Sequence, residues 1–121
     1  MSDELYPAAS RDLAGKRREL ATEAEAAFLA FSRKAFEEGA LSTKMKQIIA
    51  VAVAHVTQCP YCIRGHTKAA MRHGASREEL MEAIWVAAEM KAGSAYAHAL
   101  LAVDEMEVAP TAAPHAKPSV T

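Results

Sequence analysis

Residues 44–66 read KMKQIIAVAVAHVTQCPYCIRGH. In the first half of this stretch Met45, Ile48, Ile49, Ala52, Val53 and Val56 recur at helical spacing and make a broad apolar face. Val, Ile and Thr also suit a strand, but the alanine content and the length favour a helix, expected to be mostly buried. Pro60 has no N–H and fits the first position of a helix, so the chain should break near Gln58-Cys59 and restart at Pro60. Cys62 then sits in a first helical turn, with His66 one turn further along the same face.

Upstream, from about Arg11 to Glu38, Leu13, Leu20, Ala24, Phe28, Phe31 and Phe36 recur on one long amphipathic helix, whole or broken. Gly39 is expected to stop it, and Ser42 or Thr43 to cap the next helix. Downstream, the Pro60 helix should end near Arg72 or His73 at Gly74, a left-handed stop. Ser76 followed by Glu79 reads as a capping box, and Leu80, Ile84, Ala87, Ala88, Met90, Ala95, Ala99, Leu100 and Val103 continue an apolar face. Gly93-Ser94 is a point at which this stretch could divide in two. After Met106 the Pro110, Pro114 and Pro118 tail cannot bury enough surface to order itself. The expectation is an all-α domain of four to six helices over 1–106, with a flexible Pro/Ala-rich tail over 107–121.

At 121 residues there is room for one core. Hydrophobic residues make up 51% and charged ones 24%, and the formal net charge is -1, so neither disorder nor nucleic-acid binding is expected. Charges run through Met1–Leu20, so no signal peptide is expected there, and the apolar run Ile48–Val56 is far below the roughly 20 residues of a membrane span. The chain reads as cytoplasmic, where thiols are kept reduced. A Cys-x-x-Cys pair in that compartment points to catalysis or metal binding rather than to a permanent crosslink.

A cysteine attacks peroxides and disulfides as the thiolate, which a helix N-terminus and a neighbouring histidine both favour. His66, four residues after Cys62, can accept its proton, and Cys59 can reach Cys62 to close a disulfide. Against this stand two plainer readings. The thiols could be small buried hydrophobes, or His55, Cys59, Cys62 and His66, at intervals of four, three and four, could bind zinc. On one continuous helix the outer two would lie roughly 16 Å apart, too far for a single ion, and no metal or cofactor is expected. His55 reads as a hydrogen-bonded core histidine, Trp85, Met81 and Met90 as core or subunit interface, and Glu78, Glu79 and Glu82 as a solvated first turn.

Lys44 to Ala52, followed by Cys59-Pro60-Tyr61-Cys62-Ile63-Arg64-Gly65-His66 and then Gly74-Ala75 and Glu78-Glu79, resembles the core motif of the carboxymuconolactone decarboxylase superfamily, in its alkylhydroperoxidase D-like branch. The resemblance covers roughly residues 41–100. It implies an all-α fold, a homo-oligomer such as a trimer or hexamer, and reduction of a small hydroperoxide through a cysteine disulfide that an external dithiol restores. It also implies a glutamate on the preceding helix working with the histidine in a proton relay. Gln47 occupies that position here and can hydrogen-bond but not titrate. Tyr61 stands where family members can carry another histidine. The site residues are therefore Cys59, Cys62, His66 and Gln47. Cys62 is the attacked sulfur by proximity to His66, while the reactive first cysteine of thioredoxin-like motifs argues for Cys59. Alternatives within reach of the same sequence are decarboxylase-like chemistry on a small cyclic acid and a non-catalytic redox-sensing or metal-binding oligomer.

Overall fold

A computed structural model describes residues 5–111. The chain folds into five helices, α1 (Arg11–Leu20), α2 (Thr22–Phe36), α3 (Thr43–Thr57), α4 (Pro60–Arg72) and α5 (Arg77–Val108), and no strand forms among the described residues. The all-α expectation holds. None of these helices is long and apolar enough to cross a membrane.

The long N-terminal helix is broken. Ala21, at φ -156° and ψ 69°, separates α1 from α2, and Arg17 and Arg18 reach across the break to the Glu25 carboxylate at 3.3 and 3.5 Å. Helix α2 ends at Phe36, two residues before Glu38, and not through a glycine. The next helix supplies the caps instead: the Thr43 hydroxyl donates to the Phe36 carbonyl at 2.9 Å and the Lys46 ammonium to the Glu37 carbonyl at 2.6 Å. Ser42 caps α3, its Oγ accepting from the Met45 N–H.

Helix α3 is the hub, packed against both α4 and α5. Ile48, Val51, Ala70, Ala75 and Leu80 form the buried cluster, with Ala83 and Ile84 against it. Only Gln47, Ile48, Val51 and Ala54 of α3 are buried. The expected mostly buried helix is thus corrected: Met45, Ile49, Val53 and Val56 are exposed, because α4 and α5 cover one side of α3 and α2 touches it only lightly.

Two turns place the later helices. Gln58, at φ 59° and ψ 47°, adopts the left-handed conformation that ends α3, and the N–H groups of Gln58 and Cys59 both donate to the Ala54 carbonyl. Gly74 ends α4 at φ 95°, as its type suggests. Ser76 and Glu79 form the capping box, Glu79 N–H to Ser76 Oγ at 3.0 Å and Ser76 N–H to Glu79 Oε1 at 2.8 Å. The Ser76 N–H and the Lys44 ammonium hold the Glu79 carboxyl below its ordinary range, so Glu79 is more than a solvated residue.

Helix α5 runs unbroken through Gly93-Ser94, with the Glu89 carboxylate lying where a Gly93 side chain would project. It extends two residues past Met106. Of the flexible tail expected over 107–121, residues 107 and 108 are the last of α5, and those from 112 on lie outside the described residues. Trp85, Met81 and Met90 are exposed at 70%, 53% and 61%, which removes the core reading for all three.

Candidate functional site

The left-handed Gln58 redirects the chain so that Cys59 becomes the N-cap of α4 and Pro60 its first residue. In that role the Cys59 sulfur does what a serine hydroxyl would do, accepting the Cys62 N–H at 3.3 Å. The two thiols are free and half-buried. They share a hydrogen bond, and its effect is opposite on the two sulfurs. Donation from the Cys62 thiol, followed by the Cys62 N–H, holds the Cys59 thiol below its ordinary range; the same hydrogen bond, followed by burial, pushes the Cys62 thiol up. Cys59 is therefore the better thiolate at rest.

His66, one turn beyond Cys62 on α4, donates from Nδ1 to the Gln47 Oε1 at 2.7 Å. This bond fixes the tautomer and leaves Nε2 as the basic nitrogen. Its ring stacks on Phe36, with centroids 5.2 Å apart and planes 16° apart. Gln47 lies on the buried stripe of α3 with Val51 and Ala54, at i, i+4 and i+7, and is buried at 8% exposure. It orients the imidazole as a carboxylate would, without the charge that would stabilise an imidazolium.

A cavity of about 530 Å³ opens between α2, α3 and α4, with Phe36, Lys46, Ile49, Val53, Cys62 and His66 among its walls. Cys62 is on this wall and Cys59 is not. The pair thus divides two properties, access to the cavity at Cys62 and ease of deprotonation at Cys59.

The remaining sequence candidates fall elsewhere. Tyr61 turns to the N-terminal segment, its hydroxyl donating to the Pro7 carbonyl at 2.6 Å and its ring meeting Tyr6 edge-on at 6.0 Å. His55 Nδ1 bonds the Val51 carbonyl of its own helix at 2.8 Å. Among the described residues no three His, Cys, Asp or Glu side chains converge to hold a metal ion. Sequence reading missed Phe36 and Lys46 as site residues. Lys46, Ala50, Val53 and Thr57 all line the cavity. Their i, i+4, i+7, i+11 spacing was the available signal that Lys46 shares a stripe with the cavity wall.

Residues 22–105 match the carboxymuconolactone decarboxylase family. A protein of Paracoccus denitrificans, "Uncharacterized protein 4 in cox locus", is 54% identical over 110 residues, covering 88% of this chain and 98% of its own length. A second relative, from Cupriavidus necator, is 39% identical over 70 residues, 58% of this chain and 62% of that protein. Among solved structures, a carboxymuconolactone decarboxylase family protein from Legionella pneumophila, crystallised in its apo form, superposes with a TM-score of 0.63 at 35% identity, over 65% of this chain and 70% of that one. A protein from Methanobacterium thermoautotrophicum gives the same TM-score at 34% identity, over 67% of this chain and 93% of its own.

Proposed function

This chain belongs to the carboxymuconolactone decarboxylase family, and from that premise we propose that it is a thiol-dependent peroxidase of the alkylhydroperoxidase D-like kind. The observation that supports this reading is the placement of Cys62 and His66 on one apolar cavity wall, with Cys59 in hydrogen-bonding contact through the same turn. A hydroperoxide in the cavity meets Cys62. Its sulfur attacks the terminal oxygen; the S–O bond forms, the O–O bond breaks, and the alcohol leaves. His66 Nε2 takes the thiol proton and returns it to the departing alkoxide, so Cys62 becomes a sulfenic acid and the hydroperoxide an alcohol. The Cys59 thiolate then attacks the Cys62 sulfur; the S–S bond forms, the S–O bond breaks, and the departing hydroxide takes a proton from solvent to leave as water. An external dithiol reduces the disulfide. Of the two donors that hold the Cys59 thiol below its ordinary range, the Cys62 thiol and then the Cys62 N–H, the N–H remains once Cys62 is a sulfenic acid and continues to favour the thiolate that this second step uses.

Assembly into a homo-oligomer belongs to the same proposal. Tyr96, Leu100, Leu101 and Met106 are 66–84% exposed along the outer half of α5, an apolar surface that another copy would cover.

The test is a free-thiol count before and after one equivalent of an organic hydroperoxide, on the wild type and each single Cys→Ser variant. Loss of two thiols to an internal disulfide, with a sulfenic acid trapped on Cys62 in Cys59→Ser, supports the assignment. Survival of both thiols overturns the peroxidase reading, and a sulfenic acid on Cys59 reverses the order of attack. The neutral Gln47 favours one second reading, a redox-sensing oligomer whose pair oxidises once without sustained turnover. Gln47→Glu separates the two: under the peroxidase reading a carboxylate beside His66 raises turnover, and an unchanged or lower rate favours the sensor.

A further inference from the structure

Among the described residues Lys46 is the one lysine or arginine on the wall of the Cys62 cavity, and no carboxylate among them pairs with it. Its ammonium donates to the Glu37 carbonyl at 2.6 Å and lies against Gly39, where an added Cβ would sit 3.7 Å from Nζ. Two carboxylates are close by in sequence, and both are engaged elsewhere: Glu37 pairs with Lys34 at 2.8 Å, and Glu38 accepts the Thr43 N–H at 2.9 Å. Among the described residues Lys46 makes no ion pair and no other side-chain hydrogen bond. An ammonium has three donors, and one is used. Capping α2 explains that one bond but not why a half-buried cation is kept unpaired beside Phe36, Ile49 and Val53.

Resting on the reading of this cavity as the substrate site, we propose that the ligand it takes is amphipathic, an aliphatic or aromatic body carrying a carboxylate that pairs with Lys46, with the peroxide-bearing carbon toward Cys62 and His66. The volume of about 530 Å³ lies in the range of cavities that enclose medium-sized organic molecules. Its apolar walls favour the body, and Lys46 selects the anion. A carboxylated organic hydroperoxide then binds better than a neutral one of the same size, and hydrogen peroxide, which has neither part, is a poor substrate.

The test contains no peroxide, so its outcome is separate from that of the peroxidase reading. Octanoate and octan-1-ol are titrated against alkylation of the reduced protein by the neutral reagent iodoacetamide, and the rate at Cys62 is read by peptide fragmentation. Octanoate is expected to protect Cys62 at about tenfold lower concentration than the alcohol, as for a charge-assisted hydrogen bond. Lys46→Arg retains this preference and Lys46→Met abolishes it, with helical circular dichroism verifying that each variant is folded. Equal protection by the two compounds in the wild type, no protection by either, or an undiminished preference in folded Lys46→Met overturns the proposal. Protection by octanoate in a protein whose thiols resist hydroperoxide would remove the peroxidase reading and leave the carboxylate site standing.

Discussion

The segments 43–87 and 88–108 are both rich in alanine and large apolar residues, yet every buried residue among those described lies between Gln47 and Ala87. From Lys91 to Val108 every residue except Gly93 is exposed, including Tyr96 at 84% and Leu100 at 73%. The first segment finds its partners within the chain, where α3 lies against α4 and the start of α5. The second has apolar residues around its whole circumference and, among the described residues, no buried position. Composition alone therefore does not tell a core from an interface. What distinguishes them is whether the chain returns to cover the face, and among the described residues it returns only over the region that holds the cysteine turn.

The sharpest way to break that division is to place charge on the outer half. Tyr96→Asp combined with Leu100→Asp puts two carboxylates in the surface proposed to join copies, and an unpaired buried charge costs several kcal/mol, on the order of a whole interface contact. Light scattering should then show the assembly falling to the 13.0 kDa chain, with helical content kept by the remainder. An unchanged mass would mean that this face is not where copies meet.

Within the packed segment the cost is paid in folding instead. Leu80→Ala removes a side chain that is 6% exposed in the central cluster and should lower unfolding free energy by about 3 kcal/mol, measured by urea titration at one protein concentration. If copies do not cover it, Leu100→Ala should change stability by no more than about 0.5 kcal/mol. A loss at Leu100 that grows on dilution would instead tie this residue to assembly.

The cysteine turn supplies a finer test, because its two thiols lie in the packed segment but differ in environment. Removing the Cys62 thiol in Cys62→Ala deprives the Cys59 sulfur of its main stabilising donor, so the Cys59 pKa should rise toward the ordinary thiol range. Cys59→Ala removes the group that holds the Cys62 proton, so the Cys62 pKa should fall. Alkylation rates followed against pH would thus move in opposite directions in the two variants. Shifts of the same sign would show that the helix terminus, not the sulfur pair, governs the titration.

Much of this was legible from the residues. Pro60 announced the start of α4, Gly74 its end and Ser76 with Glu79 the start of α5, because each device is written in a few adjacent positions. The Cys59, Cys62 and His66 spacing likewise placed all three at the start and along the first turns of one helix, α4. What could not be read depended on distant parts of the chain. The early end of α2 rests on Thr43 and Lys46 reaching back to its last carbonyls, the exposure of Val53 on what α2 leaves uncovered, and the turning away of Tyr61 on Pro7, which lies 54 positions earlier. Gly39 and Gly93 misled for the opposite reason: a residue type that commonly ends a helix does so only when the backbone takes up the freedom it offers, and neither glycine is at positive φ.

Gln58 carries that last point to its smallest measurable consequence. It is the one non-glycine residue at positive φ among those described, in the conformation that lets α3 end and Cys59 cap α4. A side chain there is strained by roughly 1 kcal/mol, and a glycine would be relieved of the strain while losing more entropy on folding. Gln58→Gly should therefore raise stability by about 0.5 kcal/mol in urea titration without altering the alkylation behaviour of Cys59. If stability rises but Cys59 reacts at higher pH, the rigidity of the Gln58 turn is what holds the sulfur against the Cys62 N–H, and the strain serves the site. If stability falls, the Gln58 side chain contributes contacts that outweigh the strain, and the turn is then held by packing rather than by backbone preference alone.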